Sequence, residues 1–142
     1  EIAKHDIHMD VTFDDMTYIG NHQQIYTLLN NVIGNAIKYN KDHGSVSVRI
    51  EELSEAMKIV VKDSGIGIPL ADQSRVFERF HRVDKGRSRQ RGGTGLGLAI
   101  VKHIVSHYKG TIHLMSELDK GTTIEIILPQ QTITSDESFP QG

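Results

Sequence analysis

Three sets of residues in this sequence have types and spacings that could do chemistry. The first is Gly92-Gly93-Thr94-Gly95-Leu96-Gly97, running into Leu98-Ala99-Ile100-Val101-Lys102-His103-Ile104-Val105. The glycines remove Cβ atoms that would hold a ligand off the backbone, and the apolar residues after them recur at helical spacing. A loop feeding a helix start presents unpaired N–H groups and the positive end of the helix dipole, which favours phosphate. A P-loop is excluded because Leu98 and Ala99, rather than Lys and Ser/Thr, follow Gly97. A dinucleotide fingerprint is excluded because the charged run Asp84-Lys85-Gly86-Arg87-Ser88-Arg89-Gln90-Arg91, and not a buried strand, precedes the glycines. A plain helix cap or linker accounts for the glycines equally well, so this loop needs partners elsewhere in the chain.

The second set is Asn31, Asn35 and Lys38, with Tyr39 at its border. At about 100° per residue they fall within about 60° of one another, along one edge of an apolar helical stripe. Two amides and an ammonium placed there could present carbonyl oxygen to a hydrated metal and positive charge to phosphate; a solvated helix face is the competing reading. The third set is Asp63-Ser64-Gly65-Ile66-Gly67-Ile68-Pro69. Asp63 shares the register of Ile59 and Val61, so its carboxylate points toward the core or a pocket, where it requires a hydrogen-bond donor. The exocyclic amine of a base would serve, and Gly65 and Gly67 would let a flat ring approach the main chain; an Asx-capped turn is the alternative. Between the Asp63–Pro69 loop and the Gly92–Gly97 loop, seven Lys/Arg from Arg75 to Arg91 stand against Glu78 and Asp84. That segment reads as a lid placing positive charge over phosphates, or as a solvated basic loop.

The elements that must position these groups follow from periodicity. Ile7, Met9 and Val11 alternate as a strand, and a short strand is expected around Tyr18-Ile19. Asn21 is a candidate N-cap for the strongest helix, in which Ile25, Leu28, Leu29, Val32, Ile33, Ala36 and Ile37 form the core-facing stripe. Val46, Val48 and Ile50, then Met57, Ile59 and Val61, read as a hairpin joined through Glu51 to Ala56. A short helical piece is expected at Val76, Phe77 and Phe80, and a helix from Gly95 to Tyr108 stopping at a left-handed Gly110. Thr111 to Ser116 and Thr122 to Leu128 form a last hairpin turning at Asp119-Lys120-Gly121. This order predicts an α+β fold: a two-layer α/β sandwich with helices on one face of a mixed, mostly antiparallel sheet.

At 142 residues, with 37% hydrophobic and 24% charged residues, the chain has the length and composition of one globular domain and carries no long apolar run. Its lack of cysteine excludes disulfides and thiolate metal sites. A net charge of −2 gives no argument for nucleic acid. The start at Glu1 reads as a cut from something longer. The domain is placed at residues 1–130, and the polar tail 131–142 is expected to be disordered.

At this point the residues resemble a known family. Asn31-Val-Ile-Gly-Asn35-Ala36-Ile-Lys38-Tyr39 is similar to the N box of the sensor histidine kinase ATP-binding domain, a member of the GHKL superfamily. Asp63-Ser-Gly-Ile-Gly67 is similar to its G1 box, Val76-Phe77-Glu78-Arg79-Phe80 to its F box, and Gly93-Thr-Gly-Leu-Gly97 to its G2 box. The run Arg79 to Lys85 leans toward PhoR-like kinases. The resemblance implies a Bergerat-type sandwich with an ATP lid, the cofactors ATP and Mg²⁺, and a division of labour. Asn35 is expected to present its oxygen to Mg²⁺, Asn31 and Lys38 to contact phosphates or the metal's waters, and Tyr39 to lie against the nucleotide. Asp63 is expected to accept from the adenine amino group, with Gly65 and Gly67 forming the adenine-side wall and Ile68 among the nucleotide-binding residues. Phe80 would anchor the lid, Arg82 would reach the phosphates, and Gly93, Thr94, Gly95, Leu96 and Gly97 would wrap the triphosphate. Thr122 would act through an adenine-side water network.

One departure discriminates within the superfamily. Members that hydrolyse ATP, such as gyrase and MutL-type proteins, carry a glutamate one helical turn before the metal asparagine; here Asn31 stands there, and an amide is no general base. The resemblance therefore implies transfer of the γ-phosphoryl group, with Asn31, Lys38 and Arg82 as catalytic residues, to a histidine on the kinase's own dimerisation domain and then to a response regulator. None of the eight histidines here lies in the family's phosphoacceptor motif, so that domain and any sensor are expected outside this sequence. The fragment is expected to be monomeric and not to phosphorylate itself. It is placed in the cytoplasmic part of a membrane-anchored, homodimeric bacterial kinase that engages no nucleic acid. A serine kinase of the anti-sigma type and a nucleotide-gated interaction module are the alternatives.

Overall fold

The computed structural model describes residues 6–78 and 97–131. Five strands form one sheet: β1 (His8–Phe13), β2 (Ser45–Leu53), β3 (Ala56–Asp63), β4 (Thr111–Glu117) and β5 (Gly121–Pro129), in the order β1-β2-β3-β5-β4. Helices α1 (His22–Lys38) and α3 (Gly97–His107) pack on each other and on the sheet; α2 (Leu70–Gln73) is a single turn beside β4. β1 and β2 are parallel, as a connection through α1 requires, and the other three pairings are antiparallel. The expected mixed, mostly antiparallel two-layer sandwich is what forms.

Alternation sets the register. Val46, Val48 and Ile50 pair with Asp63, Val61 and Ile59, while Ile124 and Ile126 pair with Leu114 and Ile112. These residues face the helices, and Leu28, Val32 and Ala36 of α1 and Val101, Ile104 and Val105 of α3 close the core over them. The outward face mixes polar residues with Val60, Met115 and Ile127, and on it Lys58 bridges Glu125 at 3.0 Å. No helix of the described residues is long and apolar enough to cross a membrane.

Three details differ from the sequence-based expectations. Residues around Tyr18 form no strand; they cross the end of the sheet, where Asp14 Oδ2 accepts from Glu52 N at 2.8 Å and the Tyr18 hydroxyl donates to Pro129 O at 2.7 Å. A chain running across strand ends has no edge to pair with. The helical piece before the basic run lies at Leu70–Gln73, directly after Pro69, whose missing N–H suits a helix start, and Val76 and Phe77 follow in turns. At the end of α3 the left-handed residue is Lys109, with φ 60°, and not Gly110. Gly110 N bonds Val105 O and Lys109 N bonds Ser106 O, both at 2.9 Å, a Schellman closure. Gly110 is needed for another reason: a Cβ there would collide with the Ile127 carbonyl.

α1 and α3 run antiparallel. Asn21 caps α1 by accepting from Gln24 N at 2.9 Å, while Asn21 N donates to the buried Tyr108 hydroxyl at 2.7 Å, just past the end of α3. The other ends therefore coincide, which brings the last turns of α1 to the start of α3.

Candidate functional site

All four elements carrying the described candidate residues meet at one end of the sheet. β3 ends at Asp63, α1 ends at Lys38, α3 starts at Gly97, and the β4–β5 turn closes at Gly121. The Asp63 carboxylate accepts through Oδ1 from Gly65 N at 2.8 Å and Thr122 N at 3.2 Å. Burial raises its pKa above the usual carboxylate value, opposed by these two backbone donors, which favour the charged form. One oxygen is thus committed to main-chain donors, and an acceptor-only group keeps capacity on the other for an external donor.

The glycines of this region are explained by contact with main chain. A Cβ on Gly65 would strike the Tyr39 carbonyl, and Ile66 N donates to that same carbonyl at 3.2 Å, tying the loop to the end of α1. Gly67 (φ 74°) abuts Glu117 O, and Gly121 (φ 126°) abuts Asp63 O; a side chain at either would meet both backbone strain and collision. Tyr39 occupies the C-cap of α1, so its main chain borders the Asp63 loop.

The second part of the site is built on helix faces. Asn31, Asn35 and Lys38 lie one turn apart along α1, and Gly97 opens α3 against them. A Cβ on Gly97 would sit 3.1 Å from Asn31 Oδ1 and 3.8 Å from Asn35 Nδ2. Asn31 donates from Nδ2 to Thr27 O at 2.8 Å, which fixes its amide with Oδ1 toward Gly97. The donor set suits a hydrated Mg²⁺ held with phosphates: amide oxygens are hard ligands, and among the described residues no cluster of three or more His, Asp or Glu could cage an ion without a ligand's oxygens.

The structure thus brings together Asn31, Asn35, Lys38, Tyr39 and Gly97 on one side and Asp63, Gly65, Gly67, Ile68 and Thr122 on the other. Phe80, Arg82, Gly93, Thr94, Gly95 and Leu96 lie outside the described residues. Sequence reasoning missed Ser116, Gln73 and Asn40. Ser116 Oγ accepts from Ile68 N at 2.8 Å and lies 2.8 Å from Thr122 Oγ1. It follows Ile112 and Leu114 in the inward register, the same signal that singled out Asp63. Buried Asn40 braces the turn after α1, donating to Ser45 O and accepting from Lys41 N, both at 2.9 Å.

The sequence and the fold both match known proteins. The family model described as "Histidine kinase-, DNA gyrase B-, and HSP90-like ATPase" matches residues 20–132. The chain belongs to this ATPase family. Within it, the chain is 41% identical over 133 residues to the sensor-like histidine kinase SenX3 of Mycolicibacterium smegmatis, covering 92% of this chain and 35% of SenX3. Among solved structures it is similar to the mycobacterial sensor histidine kinase MprB, with a TM-score of 0.78 at 33% identity over 92% of this chain and 88% of that one. It also resembles full-length ShkA in complex with AMPPNP, with a TM-score of 0.75 at 25% identity over 91% of this chain and 27% of that one. The chain spans about a third or less of the length of its curated relatives. Those curated relatives within that family are sensor histidine kinases. The GHKL assignment holds.

Proposed function

We propose that this family member binds MgATP between Asp63 and Gly97. The γ-phosphoryl group then passes to a histidine on the dimerisation domain of a longer sensor kinase, for relay to a response regulator. The base lies at Asp63, whose Oδ1 is held by two N–H groups while the carboxylate accepts from the adenine amine. The ShkA complex with AMPPNP supports a nucleotide in this fold. Asn35 offers its amide oxygen toward the metal, and Asn31, Lys38 and Arg82 act on the phosphates. Bound Mg²⁺ would supply charge neutralisation across the phosphate oxygens. Gly97 at the start of α3 lets phosphate approach the helix N-terminus beside both asparagines.

The observation that supports transfer over hydrolysis is the Asn31 amide. It stands one turn before Asn35, bound to Thr27 O, and it cannot deprotonate water. The histidine ring nitrogen of the acceptor would attack phosphorus as the bond to ADP breaks, so the chain's task is positioning and charge stabilisation. We place the whole kinase at the membrane as a homodimer, with this domain monomeric on the cytoplasmic side. The test is incubation with MgATP and a separately produced dimerisation domain from a related kinase. Acid-labile, base-stable label on that domain is expected. Label on serine would replace this reading with an anti-sigma-type kinase, and nucleotide binding without label would leave a gated interaction module.

A further inference from the structure

Gln73 closes α2 at a point where three segments meet. Its Nε2 donates to Ile68 O at 2.9 Å and to Ser116 O at 3.0 Å. The same two residues are joined a second time, by Ile68 N donating to Ser116 Oγ at 2.8 Å. Ser116 Oγ also donates to Gly121 O at 3.1 Å and lies 2.8 Å from Thr122 Oγ1, while Thr122 N reaches Asp63 Oδ1 at 3.2 Å. A continuous path of hydrogen bonds therefore runs from the Gln73 amide through Ile68 and Ser116 to the residue that orients the Asp63 carboxylate.

We propose that Gln73 is a positioning residue for base recognition. Its two donated bonds hold the Ile68 edge of the loop against the end of β4, fixing the Ser116–Thr122 pair and, through Thr122 N–H, the direction in which Asp63 accepts. This rests on the reading that Asp63 receives an exocyclic amine of a purine. Side-chain chemistry makes the role specific. A carboxamide offers two protons to two carbonyls, whereas a glutamate in its place would oppose both with negative charge. Methionine would keep the length and volume and lose the donors.

The experiment compares the affinity of the domain for MgATP with that for the triphosphate of purine riboside, which lacks the 6-amino group. In wild type, ATP is expected to bind at least about tenfold more tightly, the order of one buried hydrogen bond to a charged acceptor. Gln73→Met is expected to reduce that ratio about threefold, chiefly by weakening ATP, and Gln73→Glu to reduce it further. Gln73→Ala carries the same comparison should the methionine variant not fold. Wild type that binds both nucleotides equally would overturn the assignment of Asp63 to the base and, with it, this role. Wild type that discriminates, with a variant losing affinity for both nucleotides in equal measure or keeping the full ratio, would overturn the role of Gln73 alone.

Discussion

The two ends of the site are built differently. Around Asp63, the glycines are pressed against main chain: Gly65 on Tyr39 O, Gly67 on Glu117 O and Gly121 on Asp63 O. Around Asn31 and Asn35, Gly97 faces side-chain amides, and a Cβ on Gly34 would meet open space. The first end is shaped by the backbone, so a side chain at its glycines strains the fold. The second is shaped by groups projecting from two finished helices, and it can be altered while the fold remains. On the proposed reading, stability and base selectivity belong to one end and metal dependence to the other.

Glycine substitutions break this comparison most directly. Gly121→Ala adds a Cβ against Asp63 O at a φ that L residues avoid, and is expected to destabilise the domain by about 3 kcal/mol in chemical denaturation. Gly97→Ala is expected to change stability by less than about 1 kcal/mol, since alanine favours a helix and Asn31 can give way, yet to weaken MgATP binding. Equal destabilisation by both would erase the distinction.

Asp63→Asn separates stability from recognition at a single residue. ATP affinity is expected to fall about tenfold to a hundredfold, because an amide N–H would oppose the adenine amine. Stability at pH 7 is expected to hold or rise. Burial raises the folded pKa of Asp63 above its unfolded value, so the folded state binds more protons in the interval between the two. Asp63 therefore favours folding most below its unfolded pKa, and that contribution is lost as pH rises through the folded one. Denaturation from pH 3 to 7 is expected to show a shallower fall in stability for the asparagine variant than for wild type. A steeper fall would mean the carboxylate is stabilised by the fold. Next in size, Asn35→Ala is expected to lower affinity about tenfold with Mg²⁺ and little without it; equal losses in titrations under both conditions would make Asn35 a structural residue.

Much of this was legible in the sequence, because period-2 and period-3.6 patterns determine which side chains share a face. The inward register of Asp63 followed from Ile59 and Val61, and the same logic extends to Ser116 after Ile112 and Leu114. The capping role of Asn21 was equally local. What periodicity does not carry is tertiary reach. Gln73 sits in a one-turn helix with no stripe to mark it, and its partners are five and 43 residues away. The crossing of residues 14–21 past the sheet end depends on strand order, which no local window encodes. Lys109 in the left-handed position was hidden by the adjacent glycine, which is reserved for the Ile127 contact.

The central proposal is that one end of the site recognises a base and the other a metal-bound triphosphate. Calorimetric titration of the domain with AMPPNP, with and without Mg²⁺, tests it most directly. The account predicts binding that tightens markedly with Mg²⁺ in wild type and loses that dependence in Asn35→Ala. A folded domain that binds no nucleotide, or binds it equally well in the absence of Mg²⁺, would contradict it.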